Sequence, residues 1–320
     1  MIFLVVFGHL IEPIINQSEV IKNIYKSIYS IHMPIFIILA GAFTKLDISE
    51  GGIQKNLKTL IVPFLAFTFL YEIFNIITFK SISDYSLSWQ PYWILWFLFS
   101  MFIWKVTLPI IMQFRFPFLL SLIVSLCAGY ISDVGYFLGV SRTIYFFPFF
   151  ILGYKIGSTF LSNAFLLKIP RAFYFVILLV NILIFWVLSD LPYQSLYGSF
   201  AYEKLGNVEW FTFLRRAIFY SISIISSVAL LMLVPNWDST LSKRGQNSLY
   251  IYVWHGFFVK TLMWFGVIHT LSDISNAVAL FTLFAVAIII TYLLSCDFVA
   301  SLTNRFLLMP TQRLLLIKNS

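Results

Sequence analysis

Ten stretches of this 320-residue sequence are apolar enough to lie in a bilayer. About 20 apolar residues in a helix cross a hydrocarbon core of about 30 Å. Divided at polar, proline and glycine punctuation, the windows fall at 1–15, 29–44, 59–79, 91–111, 116–131, 143–161, 171–189, 211–234, 248–268 and 276–299. Hydrophobic residues make up 60% of the chain, charged residues 11%, and mean hydropathy is +0.91. A soluble domain is roughly half apolar and a quarter charged. The expected fold is therefore an all-α integral membrane protein, a bundle of about ten transmembrane helices forming one polytopic domain over residues 1–320. The N-terminus has no basic leader or cleavage site and is expected to be the first membrane helix, short on its cytoplasmic side.

A net charge of +8 suits membrane orientation better than nucleic acid, because no basic run interleaved with aromatics marks a soluble face. With the N-terminus inside, Lys45, Lys55, Lys58, Lys105, Arg115, Lys155, Arg305, Arg313 and Lys318 fall on the cytoplasmic side. Fewer bases face outward, among them Lys22, Lys26, Lys80 and Arg142, while the acids Glu19, Asp84, Asp133, Asp190 and Glu209 collect there. Both termini are thus expected in the cytoplasm of a multi-pass cell-membrane protein. The outer loop Ser189–Trp210 mixes Tyr, Trp, Ser, Asn and Glu. That composition suits sugar faces, and it equally suits interfacial anchoring. Cys127 and Cys296 lie in apolar windows and imply neither a disulfide nor a zinc site.

Polar groups in hydrocarbon are costly unless satisfied, so the four histidines stand out. His9 and Glu12 are three apart and share a helix face. A carboxylate beside an imidazole can set up a general base; the competing reading of His9 is hydrogen-bonding glue between helices. His32 opens the second window after a short outer loop, which would bring it near His9 and Glu12. Two histidines and a carboxylate also form a metal-ligand set, but no HExxH motif or cysteine pair supports one, and no metal is expected. His255 falls about two turns into the ninth span and fits a structural or supporting role. Lys55 and Lys58, three apart at the start of the third window, suit a phosphorylated ligand or simple topology. Walker A, GxGxxG and GxSxG motifs are absent, which argues against an ATPase, a dinucleotide enzyme or a serine hydrolase.

Six phrases converge in order: FLVVFGHL, IYSIHMPIFIILAGAF, KNLKTLIVPFLAF, WILWFLF, FFPFFILGYKIG and NSLYIYVWHGF. Together they resemble the landmarks of the acyltransferase 3 family, most nearly its fucose 4-O-acetylase-like branch. The resemblance implies a membrane O-acyltransferase that takes acetyl from cytoplasmic acetyl-CoA, with no permanently bound cofactor. The acceptor it implies is a hydroxyl of a cell-surface polysaccharide or its lipid-linked precursor. It makes His9 the first-helix catalytic histidine, with Glu12 beside it, His32 the histidine of an FHMP-like phrase, and Lys55 and Lys58 the acyl-CoA-binding basic pair, lysine here for arginine. The family pattern also puts an arginine eleven residues before that histidine, a position that would precede Met1. The sequence is expected to be short at that end. The rival expectations are a glycolipid transporter or flippase and a non-catalytic partner in glycan assembly. Inverted repeats with matching broken helices would favour the transporter, and none is evident.

Overall fold

A computed structural model of the chain describes residues 1–132, 137–157, 164–206, 208–234 and 240–316. The end of the sixth window (158–161), Asp133 and Lys318 lie outside the described residues. All regular structure among the described residues is helical, the form in which a single segment satisfies its own backbone polar groups in lipid. In chain order the α-helices are α1 (Ile2–Ile11), α2 (Glu19–Tyr29), α3 (His32–Ala42), α4 (Glu50–Asn56), α5 (Val62–Phe79) and α6 (Asp84–Leu87). There follow α7 (Trp96–Ile111), α8 (Pro117–Ala128), α9 (Val140–Ile156), α10 (Ala164–Lys168), α11 (Arg171–Val187) and α12 (Phe213–Leu233). The last are α13 (Thr240–Gly245), α14 (Ser248–Trp264), α15 (Val267–Ile274), α16 (Asn276–Leu294), α17 (Asp297–Thr303) and α18 (Met309–Leu315).

Among the described residues, six stretches have the length and apolarity to cross a membrane: Glu19–Ala42, Glu50–Phe79, Trp93–Ile111, Phe137–Ile156, Phe213–Leu233 and Asn276–Leu294. Helices α14 and α15, bent by 63°, make a seventh if they count as one span. Ile2–Ile14, α8 and α11 are apolar but shorter. Every expected window therefore holds a helix, but a count of ten crossings requires the three short helices to cross as well. Outward faces are apolar: Phe69 and Ile77 on α5, Leu183 on α11 and Phe281 on α16 are all exposed, as lipid contact requires.

Two segments differ from the sequence reading. Residues 16–28, expected as an outer loop, are mostly helix α2. Ser18 caps that helix by accepting the Val20 N–H at 3.2 Å. Ile21, Tyr25 and Tyr29, four apart, bury one face, while Glu19, Lys22 and Lys26 dilute the hydropathy that would have marked a span. Beyond residue 299, where no window is expected, α17 and α18 continue the chain as helix through a π-helical turn, Asn304–Leu308.

The buried interior holds two large apolar clusters and a small third one of Ile31, Ile35 and Leu231. One large cluster draws on α3, α5, α7, α9 and α14, the other on α1, α2 and α16; Trp93 and Trp254 pack against both. Helices α3 and α9 approach so closely that glycine is required at the crossing. A Cβ on Gly41 would lie 2.2 Å from the Phe150 carbonyl oxygen, and one on Gly153 would lie 2.0 Å from that of Ile38. Close backbone approach through small residues is how membrane helices gain packing without a hydrophobic driving force.

Candidate active site

A cavity of about 610 Å³ opens at the seam between the two large clusters. His9 and Glu12 reach it from the end of α1, which gives way to a 3-10 turn, Glu12–Ile14, carrying Pro13. Proline cannot donate an N–H to a continuing helix, so the chain turns away just after placing the pair. His9 Nδ1 lies 2.8 Å from Glu12 Oε2, and the Tyr29 hydroxyl lies 3.4 Å from the same nitrogen. The second Glu12 oxygen accepts the Tyr197 hydroxyl at 3.2 Å, and the hydroxyls of Tyr197 and Tyr25 are 2.6 Å apart. Arg142, stacked 5.4 Å above the Trp96 ring, acts electrostatically on Glu12.

His32 joins them across the break between α2 and α3. Its Nδ1–H donates to the Ile28 carbonyl at 3.0 Å, and its ring meets Tyr29 edge-on at 4.3 Å. The break is pinned from behind by Asn181, which donates to Ser30 Oγ at 3.0 Å and to Ser226 Oγ at 3.1 Å. Three of the expected site residues therefore share one chamber. Among the described residues no three histidine, cysteine or acidic side chains, these included, are grouped so as to hold a metal ion.

His255 lies behind the wall. It is fully buried, donates from Nδ1 to the Ile251 carbonyl at 3.1 Å and faces the His9 ring at 5.5 Å. It does not line the cavity. Lys55 and Lys58 are exposed, at the end of α4 and in the π-helical turn Leu57–Ile61. Lys105 joins them by donating to Asn56 Oδ1 at 3.2 Å. From Lys58 to Phe79 on the cavity wall, the π-helical turn and α5 together rise through about 20 residues, roughly 30 Å at the α-helical rise. The basic cluster thus lies about one hydrocarbon thickness from the Phe79 end of the cavity wall.

The sequence reading did not place Tyr29, Trp93, Arg142, Tyr197 or Lys260 in the site, yet all five line the cavity. Lys260 carried a signal, as a basic residue inside an expected span. Trp93 is held at φ 30°, a conformation rare for a bulky residue and concentrated at functional sites.

With its Nδ1–H donated to a carboxylate, an imidazole is fixed as the tautomer whose Nε2 carries the lone pair. Among the described residues the hydrogen bonds to His9 all run to Nδ1, so Nε2 is left for a reactant. That is the arrangement of a general base.

The sequence pattern of the acyltransferase 3 family, described as an acyltransferase domain, matches residues 1–296. The chain belongs to this family. No curated protein and no solved structure matches it. As an acyltransferase 3 protein it is a multi-pass membrane acyltransferase, and the matched region contains every residue that lines the cavity.

Proposed function

We propose that the protein moves an acetyl group from cytoplasmic acetyl-CoA to a hydroxyl of a cell-surface polysaccharide or its lipid-linked precursor, in the manner of the fucose 4-O-acetylase-like branch it resembles. The observation that carries the reading is the His9–Glu12 pair, 2.8 Å apart, in a chamber whose other walls suit a sugar. Trp93 and Tyr85 offer aromatic surface to C–H groups, while Gln90 offers an amide to hydroxyls. The Ser189–Trp210 loop contributes Tyr197 and Ser199 to the same wall. The acceptor hydroxyl passes its proton to His9 Nε2 while its oxygen attacks the thioester carbonyl. Glu12 stabilises the imidazolium that forms, and Tyr197 holds Glu12. The imidazolium then returns the proton to the departing thiolate. Lys55 and Lys58, with Lys105, hold the phosphates of the donor at the far end of α5.

Membranes containing the protein, given radiolabelled acetyl-CoA and a glycolipid extract, are expected to place label on the glycolipid. Absence of transfer by correctly inserted protein would refute the reading. In the same assay, changing Lys55 and Lys58 to Gln is expected to raise KM for acetyl-CoA by roughly tenfold per lost charge-assisted bond, with insertion unchanged. An unaltered KM would leave the lysines only a topogenic role.

The same reading puts both termini and the Lys45–Lys58 segment in the cytoplasm and the Ser189–Trp210 loop outside, with residues 1–320 as one domain. An impermeant thiol reagent applied to intact cells is expected to label a cysteine placed at Trp210, which is exposed, and to spare one placed at Lys55. The opposite pattern would invert the orientation.

A further inference from the structure

Lys260 is a cationic cavity residue that the transfer scheme leaves without a task. It lies on α14, half-buried, five residues beyond His255. It lines the main cavity and also a smaller one of about 180 Å³. Five residues line both spaces: His9, Glu12, Tyr85, Trp93 and Lys260. The base and the ammonium therefore stand on the same partition. Trp93 links them directly, because its indole meets the His9 ring at 4.9 Å and lies 5.7 Å from Lys260 Nζ.

The ammonium is held by ring faces. The Tyr92 and Phe79 centroids lie 5.1 and 5.8 Å from Nζ, completing a three-sided aromatic cage with Trp93. Among the described residues no carboxylate comes within ion-pair distance of it. Cation–π contacts offset part of the cost of holding a charge at this depth, and the remainder favours a site where negative charge appears only during reaction. A permanently acidic acceptor fits less well, since Glu12 and Asp84 line the same cavity and would repel it.

We propose that Lys260 is a catalytic residue that stabilises the oxyanion formed when the acceptor hydroxyl adds to the acyl thioester, an inference that rests on the acyl-transfer reading above. As the hydroxyl oxygen bonds to the carbonyl carbon, the hydroxyl proton moves to His9 Nε2 and the C=O π pair moves onto oxygen. Lys260 faces that oxygen. When the C=O bond re-forms, the C–S bond breaks and the thiolate takes the proton back from His9, giving ester and free thiol. A preorganised cation aimed at charge that develops in the transition state raises kcat without tightening ground-state binding.

The test compares the full-length protein with Lys260→Met, which keeps a long apolar stem against the rings, and Lys260→Arg, which keeps the charge. Initial rates are measured with radiolabelled acetyl-CoA and a glycolipid extract. Lys260→Met is expected to lower kcat by about 10²–10³-fold, with KM for acetyl-CoA within about twofold of the parent and an unchanged melting temperature in detergent. Lys260→Arg is expected to recover at least a tenth of the parent kcat. If Lys260→Met melts early, Lys260→Gln carries the same comparison. A parent-like kcat in a folded, uncharged variant overturns the proposal, as does a raised KM with kcat unchanged, which would make Lys260 a ground-state binding group. Failure of the parent itself to transfer acetyl would instead refute the acyl-transfer reading.

Discussion

Acetyl transfer by the His9→Ala protein is expected to fall by about 10²–10⁴-fold, the typical contribution of a general base. The substitution is a clean probe because of where His9 sits. Its side chain is 12% exposed and lines an existing cavity, so truncation widens an open space instead of leaving a sealed void with the cost of one. Glu12 loses one partner but keeps the Tyr197 hydroxyl, which limits the penalty of a stranded carboxylate. Helix content and insertion are therefore expected to match the parent, and the loss to appear in kcat. Glu12→Gln keeps an acceptor for Nδ1 and removes the charge that favours the imidazolium, so its loss should be smaller than that of His9→Ala. Transfer at half the parent rate by folded His9→Ala protein would remove His9 from the mechanism.

What could be read from the sequence depended on range. His9 and Glu12 were legible as a pair because a helix fixes residues three apart on one face, and their 2.8 Å contact is local. His32 reaches them by a different route from the short loop the sequence suggests: the segment before it is helix α2, and the α2–α3 break brings Tyr29 and His32 to the chamber together. Tyr197 was read only as part of an aromatic outer loop. Its bond to Glu12 spans 185 positions in sequence, and no local periodicity announces such a contact. Topology alone accounts for Arg142 in the sequence, and Lys260 stands there only as a charge within the ninth window; that both line one cavity is a property of tertiary packing. The span count suffered for a different reason. Hydropathy marks where apolar helices lie, but α1 and α11 fall short of a full crossing length, and α2 is long enough only when joined to α3.

Gly153→Ala is expected to be the most destabilising single-methyl change in the helices that form the chamber. Its Cβ would lie 2.0 Å from the Ile38 carbonyl oxygen and 2.8 Å from the carbonyl carbon. Those are backbone atoms of α3, which cannot rotate aside as a side chain can, so the two helices must separate. Overpacking a tight interior costs about 1–3 kcal/mol and occasionally more, and this site belongs at the upper end. The consequence reaches the chamber, because α3 carries His32 and α9 carries Arg142 and Phe146, three of its walls. Gly41→Ala presses on the same crossing from the other side, 2.2 Å from the Phe150 carbonyl oxygen. Once the first methyl has parted the helices the second finds room, so the double variant should be less destabilised than the sum of the two. Gly245→Ala is the control: it lies in helix α13 with nothing within 4 Å of the added methyl, and alanine there should be neutral or mildly stabilising. Thermal melting in detergent, read by the loss of monodisperse protein, separates these cases. A Gly153→Ala protein that melts with the parent would mean that α3 and α9 do not meet at this crossing.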